Sequence, residues 1–347
     1  MGEKIKVLII DDSALIRELL FQMLSEEKDI EVVARASDAY FAVDKIKNTN
    51  PDVITLDIEM PKVNGLVFLE NLMKSNPLPV IMISSLTEEG SEAAVKALQL
   101  GAFDFVAKPK TDISTNFLEL KSEIVEKIRL AAETKSNFAS RRKSIRSIME
   151  KKVEHPALHT FQKIITVGAS TGGVEAITAI LKQMPDDIPP FILVQHMPEK
   201  FVHPFAKRLD SYYPFQVKVA EDNEFIEKGK VLISPGNRHL EIVKSGQDFI
   251  IKLLDTPKVN NHKPSVDVFF HSVAQNVGSK AVGILLTGMG KDGAEGLKKI
   301  KEAGGHTIAQ SKNTCVVYGM PGEAVRIGGA MKIVDLEAIP EEIYHSV

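Results

Sequence analysis

What most constrains this chain is an alternation that occurs twice, in which short runs rich in Val, Ile and Leu are each followed by a stretch with helical apolar spacing. In residues 4–132 the runs are IKVLII, EVVARA, DVITLD, PVIMIS and FDFVAK, and the helical stretches are 14–24, 41–46, 66–73, 93–100 and 117–130. Short strands joined by helices pair in parallel, because a parallel neighbour is reached only by a crossover connection. The runs lack strict polar alternation, which fits strands covered on both faces. The expectation for 1–125 is therefore an α/β domain with a five-stranded, doubly wound parallel sheet.

A second series begins with KIITVG and continues through PFILVQ, residues 217–220, KVLISPGN and AVGILLTG, with helices starting at Val174, Phe201, Val266 and Asp292. Within it HLEIVK and DFIIKLL, joined by SGQ, form a predicted hairpin, so 161–347 is expected to be an α/β domain on a mixed sheet. Between the two series, SRRKSIRSIMEKK is polar and basic without apolar periodicity; 126–160 is expected to be a linker with some helical character. With 347 residues, the chain has room for both cores.

Composition removes several function classes. A single Cys, Cys315, excludes an intramolecular disulfide and a cysteine metal cluster, and fits a reducing compartment. A net charge of -3 provides no overall basic field for nucleic acid. The apolar run in MGEKIKVLIIDD is far shorter than the roughly 20 residues of a membrane span, so neither an export signal nor a span is expected and the cytoplasm is the default location.

Ligands of open parallel sheets bind beyond the carboxyl ends of the strands. In the first series Asp11 and Asp12 end the first strand, Asp57 the third, Ser84 and Ser85 the fourth, and Lys108 the fifth. Three carboxylates at one rim call for a hard divalent cation, most simply Mg²⁺, beside which an aspartate can attack a phosphoryl group. For any one acid, helix capping is the competing explanation, since Asp12 and Ser13 precede a helix. With TLDIEMPKVNGL around Asp57, PVIMISS around Ser84, and Phe105 ahead of Lys108–Pro109, residues 4–125 resemble a response-regulator receiver domain. The resemblance implies phosphorylation of Asp57 by a histidine kinase. It also implies Mg²⁺ held by Asp11, Asp12, Asp57 and the Glu59 backbone carbonyl, and a cis Lys108–Pro109 bond. Ser84 would move toward the phosphate and Phe105 would be the coupled aromatic, although a plain core phenylalanine is equally consistent at that position.

In the second series Ser170 lies in VGASTGG, between a strand and a helix, among small residues that let a substrate approach. A phosphate-binding glycine loop is disfavoured there, because neither G-x-G-x-x-G nor a Walker lysine is present. His196 follows FILVQ and Asp292 lies in LLTGMGKDG, so a nucleophile, a base and an orienting acid all fall at strand ends. Capping by Ser170 or Asp292, and a surface position for His196, are the bland alternatives. The segments VGASTGG, VQHMP and LLTGMGKDGA, in this order behind such an N-terminal half, resemble the CheB family of chemotaxis methylesterases. That resemblance implies Ser170 as nucleophile, His196 as general base, Asp292 as its orienting carboxylate, and an oxyanion site near Thr171 and Met289. It further implies glutamyl methyl esters and glutamines of chemoreceptors as substrates and no cofactor for the hydrolysis. From the charge that phosphorylation adds at Asp57, the expectation is that an unphosphorylated receiver packs over the Ser170 cleft and that phosphorylation weakens that contact.

Other readings stay open at this point. A general α/β-hydrolase would use Asp267 or Asp292 followed by His306, and a non-enzymatic regulator would use its second domain only to bind a partner. His203, His239, His262, His271 and His306 lack zinc spacing and are expected to be surface or core residues. SPGN at 234–237 and VYGMPG at 317–322 either line the cleft or merely close loops.

Overall fold

The computed structural model describes residues 3–60, 63–84, 87–108, 113–150 and 163–346, and divides into two compact units, 1–142 and 143–347. The first contains β1 (Ile5–Ile10), α1 (Ala14–Ser25), β2 (Ile30–Ala36), α2 (Ala39–Thr49), β3 (Val53–Asp57), α3 (Gly65–Ser75), β4 (Val80–Ser84), α4 (Glu88–Leu100) and β5 (Asp104–Ala107), and α5 (Ile113–Glu150) follows. The strands make one parallel sheet in the order β2-β1-β3-β4-β5. All residues of β3 and β4 are buried, which is why these runs carry no polar alternation. The chain reverses direction across the sheet between β1 and β3, and the acidic rim lies beyond that point. Ser13 caps α1 by accepting the Ile16 N–H, so the cap is not Asp12 and both aspartates remain available to the rim.

The segment expected to be a linker is helical as far as Glu150, as the second part of α5; residues 151–160 lie outside the described residues. Ile124, Ile128, Ala131, Phe138, Ile145 and Ile148 are buried along this helix. Their spacing of three, four or seven residues is helical, but the Lys, Arg and Ser between them masked it.

The second unit contains β6 (Ile164–Ala169), α6 (Gly173–Leu181), β7 (Phe191–Gln195), α7 (Glu199–Asp210), β8 (Gln216–Val219), β9 (Lys230–Ile233), β10 (His239–Ser245), β11 (Asp248–Leu254) and α8 (Val266–Asn276). After these come β12 (Ala281–Leu285), α9 (Ala294–Glu302), β13 (His306–Gln310), α10 (Met320–Arg326), β14 (Lys332–Val334) and α11 (Ile339–Ser346). Seven strands form a sheet in the order β14-β13-β12-β6-β7-β9-β8, and every pairing within it is parallel.

The sheet is thus not mixed as expected. The hairpin β10-β11 exists, but it forms a separate two-stranded antiparallel sheet. It presents Leu240, Ile242 and Ile251 to a core shared with Phe269, Phe270 and Val273 of α8, and the Ile242 N–H donates to Ser272 Oγ at 3.0 Å. Packing on a helix buries the hairpin's apolar face without using an edge of the large sheet. In that large sheet β6 and β12 are adjacent and the chain winds outward from them in both directions, so the switch point lies between them. Among the described residues no helix is long and apolar enough to cross a membrane.

Candidate active site

In the first unit the rim is a charged pocket. Lys108 Nζ lies 2.8 Å from Asp57 Oδ2 and 3.4 Å from Asp11 Oδ2. Asp11 Oδ1 accepts the Ser13 N–H at 2.8 Å, and Asp57 Oδ1 accepts that of Glu59 at 3.2 Å. One oxygen from each of Asp11, Asp12 and Asp57 lies within 4.8 Å of the others. Burial pushes the Asp57 carboxyl up to about 6, with neighbouring Asp11 adding to the effect and the Lys108 ammonium opposing it. Burial likewise raises Asp11. Two buried carboxyls reluctant to ionise beside one exposed carboxylate make an all-oxygen donor set that fits Mg²⁺.

Ser84 is buried and its hydroxyl donates to the Gly90 carbonyl at 2.8 Å. Phe105 is buried as well; its carbonyl accepts from Lys127 Nζ at 2.5 Å, and that ammonium sits 5.4 Å from the ring centre. Ser85 and the Lys108–Pro109 bond fall outside the described residues.

In the second unit strand register brings the serine and histidine together. Ala169 of β6 pairs with Gln195 of β7, so Ser170 and His196 leave neighbouring strands at the same level, one strand spacing of about 4.8 Å apart along the sheet. His196 N donates to the Ala169 carbonyl at 3.0 Å. The Gln195 amide nitrogen ties the two turns by donating to the carbonyls of Ser170, at 2.9 Å, and His196, at 3.1 Å.

On the other side of β6, the Ser170 N–H donates to the Thr287 carbonyl beyond β12. Gly288 follows, and a Cβ there would stand 2.7 Å from Ser170 Cβ, so only glycine lets this segment approach the serine. Gly172, at φ +79°, turns the chain from Ser170 into α6. Thr171 contributes its carbonyl to Thr287 Oγ1 at 2.9 Å, and Met289, half-buried, immediately follows Gly288.

His196 and Asp292 are 96 residues apart in the chain and 2.9 Å apart in space, Nε2 to Oδ2. Asp292 is buried and accepts four further donors. Oδ1 takes Asn260 Nδ2 at 2.8 Å, Ser265 Oγ at 2.7 Å and Asp267 N at 3.2 Å, and Oδ2 takes Val266 N at 2.6 Å. Burial would raise this carboxyl, but the hydrogen bonds from His196, Asn260 and Ser265 outweigh it and hold the group well below the usual carboxylate range. Against a carboxylate, His196 Nε2 carries the proton, which leaves Nδ1 as the acceptor nitrogen. Nδ1 is buried and makes no hydrogen bond among the described residues.

Sequence reasoning missed a whole wall of this site. His262 lies flat on His196, with ring centres 3.8 Å apart and planes 10° apart. Asn260 Nδ2 bridges Asp292 and Asp267, reaching Asp267 Oδ2 at 2.7 Å. The ends of this segment are stapled by His239, whose Nδ1 accepts the Ser265 N–H at 3.1 Å while Nε2 donates to the Pro257 carbonyl at 3.0 Å. The polar NNHKPS stretch ahead of a helix was its visible signal.

His306 stands at the amino end of β13, opposite the rim, and pairs with Glu342 at 3.0 Å. It therefore cannot serve the triad of a general α/β-hydrolase. His203 and His271 are exposed. SPGN and VYGMPG both line the site's surroundings. A Cβ on Gly236 would meet Glu199 N and Met197 O just after His196, and the Gly319 and Met320 N–H groups both donate to the Gly288 carbonyl.

Fold and site define a class, a receiver-linked α/β hydrolase, and comparison with known proteins is specific within it. Residues 7–115 match the response regulator receiver domain and residues 165–343 match the CheB methylesterase domain. The chain is 46% identical to the protein-glutamate methylesterase/protein-glutamine glutaminase 1 of Geobacter metallireducens, over 99% of this chain and 96% of that protein. An Escherichia coli protein named protein-glutamate methylesterase/protein-glutamine glutaminase is also 46% identical, over 98% of this chain and 96% of its own length. The crystal structure of the Thermotoga maritima CheB methylesterase catalytic domain matches with a TM-score of 0.52 and 40% identity, covering 53% of this chain and 98% of that one. The chain belongs to the CheB methylesterase family.

Proposed function

We propose that this chain hydrolyses γ-glutamyl methyl esters, and glutamine side-chain amides, on the cytoplasmic helices of chemoreceptors, and that phosphorylation of Asp57 by a histidine kinase raises the rate. The observation that carries this reading is His196, committed through Nε2 to Asp292 and left with a buried acceptor at Nδ1, at the end of the strand beside the one that leads into Ser170. In this reading residues 1–125 are the receiver, 126–160 join the halves, and 161–347 are the catalytic domain, in a cytoplasmic protein.

Ser170 Oγ attacks the ester carbonyl carbon while His196 Nδ1 takes its proton, and Asp292 stabilises the imidazolium that results. The carbonyl oxygen becomes an oxyanion facing the N–H groups around Thr171 and Met289, at the positive end of α6. Collapse breaks the bond from the former carbonyl carbon to the methoxy oxygen, or to the nitrogen of an amide, and the imidazolium gives its proton to that departing atom, releasing methanol or ammonia. Water then attacks the glutamyl–serine ester with His196 again as base, releasing glutamate and restoring Ser170. These steps use no cofactor.

At the other rim Asp11, Asp12, Asp57 and the Glu59 carbonyl would hold Mg²⁺, which would offset negative charge on Asp57 and an incoming phosphoryl group. Lys108 orients the Asp57 carboxylate, and Ser84 and Phe105 report the added charge of roughly -1.5 to -2. The test is methanol release from methyl-esterified chemoreceptor membranes with Mg²⁺ and a small phosphodonor. The donor should accelerate the wild type and leave Asp57→Asn at its basal rate; equal acceleration of both would refute phosphorylation at Asp57 as the control.

A further inference from the structure

We infer that His262 is a positioning residue for the reaction, holding the plane of the His196 imidazole by face-to-face stacking so that Nδ1 keeps one orientation as the acceptor for the Ser170 proton. The inference rests on the proposed esterase reading and deepens it. A single hydrogen bond at one edge, Nε2 to Asp292 Oδ2, fixes one point of the His196 ring and leaves it free to swing about that contact. Nothing hydrogen bonds to Nδ1 at the other edge among the described residues. What constrains the plane is the ring of His262, stacked at 3.8 Å and 10°.

The platform is itself built. His262 exchanges backbone hydrogen bonds with Val259, at 2.9 and 3.0 Å, and the same short segment supplies Asn260 and Ser265 to Asp292. One stretch of chain thus carries both the ring beneath His196 and two of the donors on its carboxylate partner, so the pair is referenced to a common support.

The chemistry of an imidazole suits the task. Burial, with the neighbouring His196 and Lys258 adding to it and Asp292 opposing, pushes His262 down to about 4, so at neutral pH it is an uncharged aromatic face. When His196 takes the serine proton it becomes a cation beside that face, and a cation over a neutral π-system is attracted rather than repelled. A lysine or arginine here would oppose protonation of His196; an aliphatic side chain would not fix the plane of the ring.

The experiment compares His262→Phe, His262→Leu and His262→Ala for methanol release and for the rate at which a fluorophosphonate labels Ser170, with Ser170→Ala as reference and thermal unfolding as a check on folding. His262→Leu and His262→Ala should lower kcat by about 10²-fold, the cost of a misplaced catalytic group, with KM nearly unchanged. His262→Phe, which restores a flat neutral ring, should recover most of kcat and of the labelling rate. Unchanged kcat in His262→Leu, a loss confined to KM, or a folded His262→Phe as slow as His262→Leu would each overturn the inference. Full activity of Ser170→Ala would instead overturn the esterase mechanism on which it rests.

Discussion

Replacing Asp292 by asparagine removes one charge and turns one acceptor oxygen into a donor at a position where five donors converge. If the new amide nitrogen occupies the Oδ2 position it faces the Val266 N–H and His196 Nε2. If it occupies the Oδ1 position it faces Asn260, Ser265 and the Asp267 N–H. The first arrangement forces His196 into the tautomer protonated at Nδ1, and either arrangement deprives the imidazolium of its counter-charge. The same exchange in a Ser-His-Asp protease lowers kcat by about 10⁴-fold, and a loss of about 10³- to 10⁴-fold is expected here, at little change in KM.

Stability should fall by about 1–3 kcal/mol, the cost of leaving a buried donor without an acceptor. The pH dependence has a definite sign. A carboxyl held below its unfolded value stabilises the fold above that value, near 3.8, and the stabilisation is lost as the pH falls below it. Asp292→Asn should remove that part of the acid sensitivity, so that its deficit relative to wild type narrows toward low pH. Methanol release at saturating substrate, with thermal unfolding at pH 7 and below pH 4, measures both effects. A folded Asp292→Asn enzyme within about threefold of wild-type kcat would refute the assignment of His196 as a base oriented by Asp292.

His306→Ala should leave kcat within about threefold of wild type, since its partner is Glu342 and not the rim; a loss of about 10³-fold would return it to the triad. In Mg²⁺-free buffer Asp57→Asn should stabilise the receiver more at pH 8 than at pH 4. A carboxyl raised from 3.8 to about 6 costs stability as the pH rises through that window, by at most about 3 kcal/mol, and the amide does not ionise. Thermal unfolding at the two pH values checks this, and an equal effect at both would contradict it.

The strand ends were legible in the sequence because parallel strands buried on both faces must read as unbroken apolar runs, and the first polar residue after each run marks the rim. That logic reached Asp11, Asp57, Lys108, Ser170 and His196 without any knowledge of contacts. It placed Asp292 at the rim too, but the 2.9 Å approach to His196 across 96 residues depends on the switch between β6 and β12, which no local pattern encodes.

The wall formed by Asn260, His262 and Ser265 left only a polar loop as its trace in the sequence, for a different reason. Its residues act through geometry, by stacking and bridging, and a polar loop ahead of a helix has the same composition whether or not it does so. The independent hairpin sheet was hidden in a similar way, since alternation along β10 and β11 shows that one face is buried but not whether a strand or a helix covers it. The helical continuation of α5 was obscured by the basic residues between its buried positions.

In the proposed mechanism Ser170 is the nucleophile of a glutamyl methyl esterase. Methanol release from methyl-esterified chemoreceptor membranes, with Mg²⁺ and a phosphodonor present, should be rapid for the wild type and reduced to background in Ser170→Ala, with thermal unfolding unchanged. Persistent release by folded Ser170→Ala, or none from the wild type, would contradict it.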